Sequence, residues 1–124
     1  SELEGARGQL SLFDRLPETQ QRAMLAAVVR ESERARADPE RLQRAWLAGD
    51  AATIEQATRE GFLVDPALRE ALLTGRNRRW TAALVPMLGE QPRPLIAVGA
   101  AHLVGPEGLA ALLKAQGYRV RRLP

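Results

Sequence analysis

The run Leu95-Ile96-Ala97-Val98-Gly99 constrains the fold more than any other stretch of the chain. It is apolar on both faces, bounded by Pro94 and Gly99, too short for an independent helix and rich in β-formers. An extended segment with two apolar faces belongs inside a sheet. Only one other stretch alternates as a strand does, Tyr118–Leu123, and two strands alone are marginal. The expectation is a buried strand over Leu95–Gly99, a helix from Leu103 to Gln116 stopped by Gly117, and a final strand over Tyr118–Leu123. The sheet they form is incomplete or is completed by another chain.

Everything upstream is punctuated for helices. Leu10, Leu12, Phe13 and Leu16 have helical spacing, and a first helix ends near Pro17. Pro17 suits the first turn of a second helix, which carries Met24, Leu25, Val28 and Val29 on one face to about Arg36. Asp38 and Pro39 can cap and open a third over Glu40–Ala48, with Leu42, Ala45, Trp46 and Leu47 as its inward candidates and Gly49 as its end. Asp50 caps a short helix to about Arg59, closed by Gly61. Asp65 and Pro66 begin another, with Leu68, Leu72 and Leu73 facing the core. It continues through Trp80, Leu84 and Leu88 at some cost for Gly75, or bends at Thr74–Gly75. The fold class expected is α+β and predominantly helical. Several amphipathic helices over 1–92 are followed by the strand–helix–strand unit over 93–124, in a single domain over 1–124.

Composition narrows the function classes. There is no cysteine, which excludes disulfides, thiolate metal sites and cysteine nucleophiles. No apolar run approaches the roughly 20 residues needed to span a bilayer, so no transmembrane segment is expected. The formal charge is +3, carried almost wholly by arginine, with Lys114 the only lysine. Over Arg30–Arg44 the arginines interleave with Glu and Asp, as on a solvated helix face. Aromatic residues make up 4%, leaving little for bases to stack on, so nucleic acid is not an expected partner. The abundance of Ala, Gly, Arg and Pro points to GC-rich coding and a bacterial source. The chain opens at Ser1 without a methionine and reads as an excised or processed piece.

The only histidine, His102, sits where the first expected strand ends, the usual place for sites in α/β sheets. Gly99, Ala100 and Ala101 leave space around it, and Gly105 and Pro106 open a helix whose first amides could face an anion, with Glu107 partly neutralising it. A lone histidine is more often structural than functional, and a metal site needs three or four ligands. Arg76-Asn77 is the second candidate. Asparagine is a weak helix former, and arginine can bind a carboxylate or phosphate bidentately; an ordinary solvated polar pair is the plainer reading. Glu4 is a third candidate, a carboxylate in a possible helix.

Arg76-Asn77 with Trp80, then Val98-Gly99-Ala100-Ala101-His102-Leu103, Gly105, Gly108-Leu109, Leu112-Leu113 and Gly117 form an ordered set. Together with the upstream "LEGARGQLSLFDRLP" and "WLAGD", this set is similar to the C-terminal part of the TraB/GumN family, which includes the Tiki-type proteins. Tiki members are described as metal-dependent proteases. The family pattern has two Gly-x-x-His motifs, a glutamate and an Arg-Asn pair. By that resemblance His102 belongs to the second motif, as metal ligand or acid/base. Arg76 and Asn77 are the pair that positions substrate or an oxyanion, and Glu4 corresponds to the glutamate. The first Gly-x-x-His motif is absent, since there is no second histidine.

The resemblance therefore implies the C-terminal portion of a metal-dependent hydrolase of peptide, amide or ester bonds, inactive by itself. A divalent metal would take its remaining ligands from outside this stretch. The implied partner is the missing N-terminal half of the same protein or a homodimer mate, and the implied location is the bacterial periplasm or cell envelope. The alternative is a non-catalytic helical binding or assembly module that pairs through an exposed strand edge.

Overall fold

The computed structural model describes residues 3–90 and 94–123. Helix α1 spans Ala6–Asp14 and α2 spans Glu18–Ala37, with Pro17 as the residue before it. Two short helices follow, α3 over Arg41–Leu47 and α4 over Ala51–Ala57. The Asp50 carboxylate accepts from the Thr53 amide and caps α4. Asp38 does not cap α3; its carboxylate instead pairs with Arg44 at 2.6 Å. After a 3₁₀ turn over Gly61–Val64, the Asp65 carboxylate accepts from the Ala67 and Leu68 amides and opens α5, Pro66–Arg69.

From Pro66 to Met87 the backbone stays helical, through a π-helical turn over Glu70–Thr74 into α6, Gly75–Met87. Of the two sequence expectations, a continuous helix or a bend at Thr74–Gly75, the chain adopts the first with a widened turn. That turn explains Gly75. A Cβ there would stand 2.6 Å from the Glu70 carbonyl oxygen, so the residue after the π turn must lack one.

The core has two parts. Leu16, Leu68 and Leu72 pack with Leu12, Met24, Phe62 and Leu63. Trp80, Leu84 and Leu109 pack with Leu3, Met87, Ile96 and Val98. The expected inward face of α2 is narrower than its pattern. Leu25, Val28 and Val29 are exposed and only Ala27 is fully buried, because the main neighbours of α2, the 3₁₀ turn and α5, are short and cover only a narrow stripe of it. Leu42, Trp46 and Leu47 of α3 are likewise exposed, and Ala45 alone is buried there.

The expected strand–helix–strand unit is not present, and the α+β class gives way to a helical fold. Among the described residues there is no strand. Leu95–Gly99 is extended but unladdered, with Ile96 and Val98 against Trp80, Leu84 and Leu109 and with Leu95 turned outward at 96% exposure. The physical reason is the one that makes two strands marginal. A ladder needs a neighbour at hydrogen-bonding distance, and here the inner face of the segment is taken by helices. Tyr118–Leu123 leads elsewhere, its Tyr118 hydroxyl donating to the Val85 carbonyl and its Arg122 guanidinium to the Gly49 carbonyl. Arg93 and Pro124, the ends of the expected unit, lie outside the described residues.

Between these segments, a 3₁₀ turn over Ala100–His102 leads into a loop, and α7 runs from Leu109 to Ala115. The helix therefore starts six residues later than the pattern suggests. Gly108 is the reason: a Cβ there would lie 2.5 Å from the Val104 carbonyl oxygen, a crowding that only a tight loop over 103–108 produces. Gly117, with φ at 88°, ends the turn after α7 as expected. No described helix is long and apolar enough to cross a membrane.

Candidate functional site

The 3₁₀ turn presents His102 toward α6. Its Nδ1 lies 2.6 Å from Asn77 Oδ1. Asn77 is 1% exposed, and its Nδ2 donates to the Glu107 carbonyl at 2.7 Å. That second bond orients the amide. With Nδ2 turned to Glu107, the oxygen faces the ring, and an oxygen that can only accept requires the ring proton on Nδ1. Nε2 is then left with its lone pair.

One helical turn further, Trp80 touches both neighbours. Its ring centroid is 4.5 Å from that of His102, tilted by 45°, and the Arg76 guanidinium carbon stands 4.7 Å from the Trp80 centroid. Arg76 donates to Glu4 Oε2 at 2.5 Å and to the Leu72 carbonyl at 3.2 Å. The side chains of Arg76 and Glu4 are only 13% and 16% exposed, and the buried Arg76 Nε–H has no partner among the described residues. Burial first, then the Arg76 charge, pushes the His102 imidazole down to about 4, against an upward pull from Glu4. The imidazole is neutral at pH 7.

Glu4, the Arg76-Asn77 pair and His102, far from one another in sequence, thus meet around α6. Arg76, Glu4 and Trp80, with Ile96, Val98 and Gly99, line an open cleft of about 650 Å³. His102 stands beside it, its Cδ2 at 3.7 Å from where a Gly99 Cβ would be. The small residue at 99 keeps that approach open. The anion site expected at Gly105–Pro106 does not form, since these residues lie in the loop ahead of a short helix.

The model of the TraB/PrgY/gumN family matches residues 1–122. The chain belongs to the TraB/PrgY/gumN family. No curated protein and no solved structure matched it.

The metal expected of a TraB/PrgY/gumN member through the Tiki resemblance can be tested against the donors present. Among the described residues no three His, Cys, Asp or Glu side chains come together as a metal would need. His102 Nε2 is one donor, while the Glu4 carboxylate is engaged by Arg76, whose positive charge also opposes a cation at the imidazole. These residues by themselves do not fit a metal centre.

Two contributors to the site, Trp80 and Arg69, were not assigned a role from sequence, and Glu107 was read only as neutralising an anion site at Gly105–Pro106. Trp80 was placed in the core face and in the family pattern, but its contacts to both Arg76 and His102 carry no spacing signal beyond i, i+4. Glu107 enters through its backbone carbonyl, and Arg69 through an ion pair to Glu107 at 2.7 Å. No local pattern announces either contact.

Proposed function

We propose that this TraB/PrgY/gumN-family chain contributes one wall of a hydrolytic site for a peptide, amide or ester bond. The observation that carries the reading is the 2.6 Å contact of His102 Nδ1 with buried Asn77 Oδ1, which keeps the ring proton on Nδ1 and leaves Nε2 unprotonated within the field of Arg76. Such a nitrogen takes a proton from water as the water oxygen bonds to the carbonyl carbon. The same proton passes to the leaving nitrogen or oxygen as the scissile bond breaks. Arg76 supplies positive charge for the oxyanion. The Arg76 charge also lowers the basicity of His102, so protonation and oxyanion stabilisation are coupled through one residue. A divalent ion enters this proposal only with donors from outside the chain, and no step above depends on it.

The test is turnover of peptide, amide and ester substrates by the protein in its longest natural form, with and without added divalent metal. His102→Ala should lower kcat by about 100-fold or more, the scale of a lost proton acceptor. Equal turnover by wild type and His102→Ala removes the assignment. A second reading, a binding or assembly module, is favoured by the exposed apolar residues of α2 and α3, Leu25, Val29, Leu42 and Trp46. It predicts a partner footprint on those helices and no effect of His102→Ala.

A further inference from the structure

We propose that Arg69 and Glu107 are positioning residues for His102: through Asn77 they hold its imidazole in the Nδ1–H form. The inference deepens the reading of His102 Nε2 as the proton acceptor and rests on it for its functional meaning.

A neutral imidazole has two tautomers, and only a proton on Nδ1 leaves Nε2 able to accept. Asn77 selects that tautomer as long as its amide cannot turn over. Flipped, it would offer Nδ2–H to the ring, and the ring proton would move to Nε2. The bond that prevents the flip is Asn77 Nδ2–H to the Glu107 carbonyl, 2.7 Å. Glu107 lies outside regular structure, in the loop before α7, where no helical ladder holds its peptide plane.

What holds it is Arg69. Its Nε and Nη2 both donate to Glu107 Oε2, at 2.9 and 2.7 Å. Its Nη1 donates to the Thr58 carbonyl at 2.6 Å, so the guanidinium is itself anchored at the end of α4. The Arg69 side chain is 19% exposed and the Glu107 side chain 48%. A pair this open adds little to global stability, but it joins α4, α5 and the loop at the point where the Asn77 amide is oriented. The chain of contacts runs Thr58, Arg69, Glu107, Asn77, His102, and each step is a hydrogen bond of 2.9 Å or less. An Arg is required for it, because a lysine cannot reach carboxylate and carbonyl with a planar fork.

His102 is the only histidine, so its two ring nitrogens can be read in ¹⁵N-labelled protein near pH 7 without ambiguity. Wild type should show Nδ1 protonated and Nε2 bare. In Glu107→Ala and Arg69→Met the Nδ1–H form should cease to be the main species, with Nε2–H replacing it, while far-ultraviolet circular dichroism stays unchanged. Arg69→Lys should recover the wild-type form only in part. Should Arg69→Met fail to fold for want of its tie to Thr58, Glu107→Gln, which keeps size and backbone, carries the same test. A wild-type ring protonated at Nε2, or folded Glu107 and Arg69 variants with an unmoved tautomer, overturns the proposal. A tautomer that shifts as expected in a protein that hydrolyses nothing leaves the positioning intact and removes the hydrolytic reading instead.

Discussion

Acidification should weaken this fold through a single imidazole. His102 titrates ordinarily near 6.5 and is held at about 4 here, first by burial and then by Arg76. Between those two values the unfolded chain binds a proton that the folded chain refuses. Stability therefore rises with pH across that window: the His102 contribution is complete above 6.5 and is lost as pH falls toward 4. Full transfer of the difference would amount to about 3 kcal/mol. The ring is partly open to solvent, and screening reduces the expected loss to ~1–2 kcal/mol. The assay is urea unfolding followed by tryptophan fluorescence, run for wild type and for His102→Gln at a series of pH values. Carboxylates common to both chains cancel in the difference. The gap between the two curves should shrink by that amount on going from neutral to acid conditions, and direct titration of the lone histidine by NMR should show a midpoint near 4. A midpoint at or above 6.5, or parallel stability curves, would refute the account of how burial and Arg76 act on the ring.

Two further outcomes follow from the packing. Alanine is ordinarily better than glycine in a helix by about 1 kcal/mol. Gly75→Ala should nevertheless destabilise by about 1–3 kcal/mol, as overpacking does, because its Cβ meets the Glu70 carbonyl; a raised melting temperature would contradict the π turn. Glu4→Gln strips a mostly buried guanidinium of its carboxylate and should cost about 2–3 kcal/mol in chemical unfolding. It should also move the His102 midpoint further down, since the upward pull of Glu4 is gone. The exposed pair Glu18–Arg22 is the control: Glu18→Gln should change stability by less than about 0.5 kcal/mol.

How much of this was legible depends on the range of the signal. Helix starts written in local chemistry were readable, as at Asp50 and at Asp65-Pro66, where the carboxylate and the amides it binds lie within three residues. The stop at Gly117 was readable for the same reason. Leu95–Gly99 was misread because an apolar run states that a segment is buried, not what buries it. Helices α6 and α7 do so in place of neighbouring strands. Leu25 and Val29 show the reverse error, since a helical pattern marks a face but does not supply a neighbour to cover it. The four candidate site residues were picked out by residue type and by family resemblance. That they adjoin was not visible, because 72 residues separate Glu4 from Arg76 and 25 separate Asn77 from His102.

The π turn over Glu70–Thr74 makes this site depend on a count. Leu68, Leu72, Asn77, Thr81 and Leu84 are all buried along one helix, at steps of four, five, four and three. The step of five crosses the widened turn. Tightening that turn to ordinary α geometry with all of its residues kept would rotate everything beyond it by about 100°. Leu68 and Leu72 would stay in their half of the core, while Asn77 swung off the Glu107 carbonyl and Trp80 off His102. The helix would still form, and the cluster around His102 would be gone. Along this stretch most substitutions change strength, whereas the width of one turn decides which residues meet.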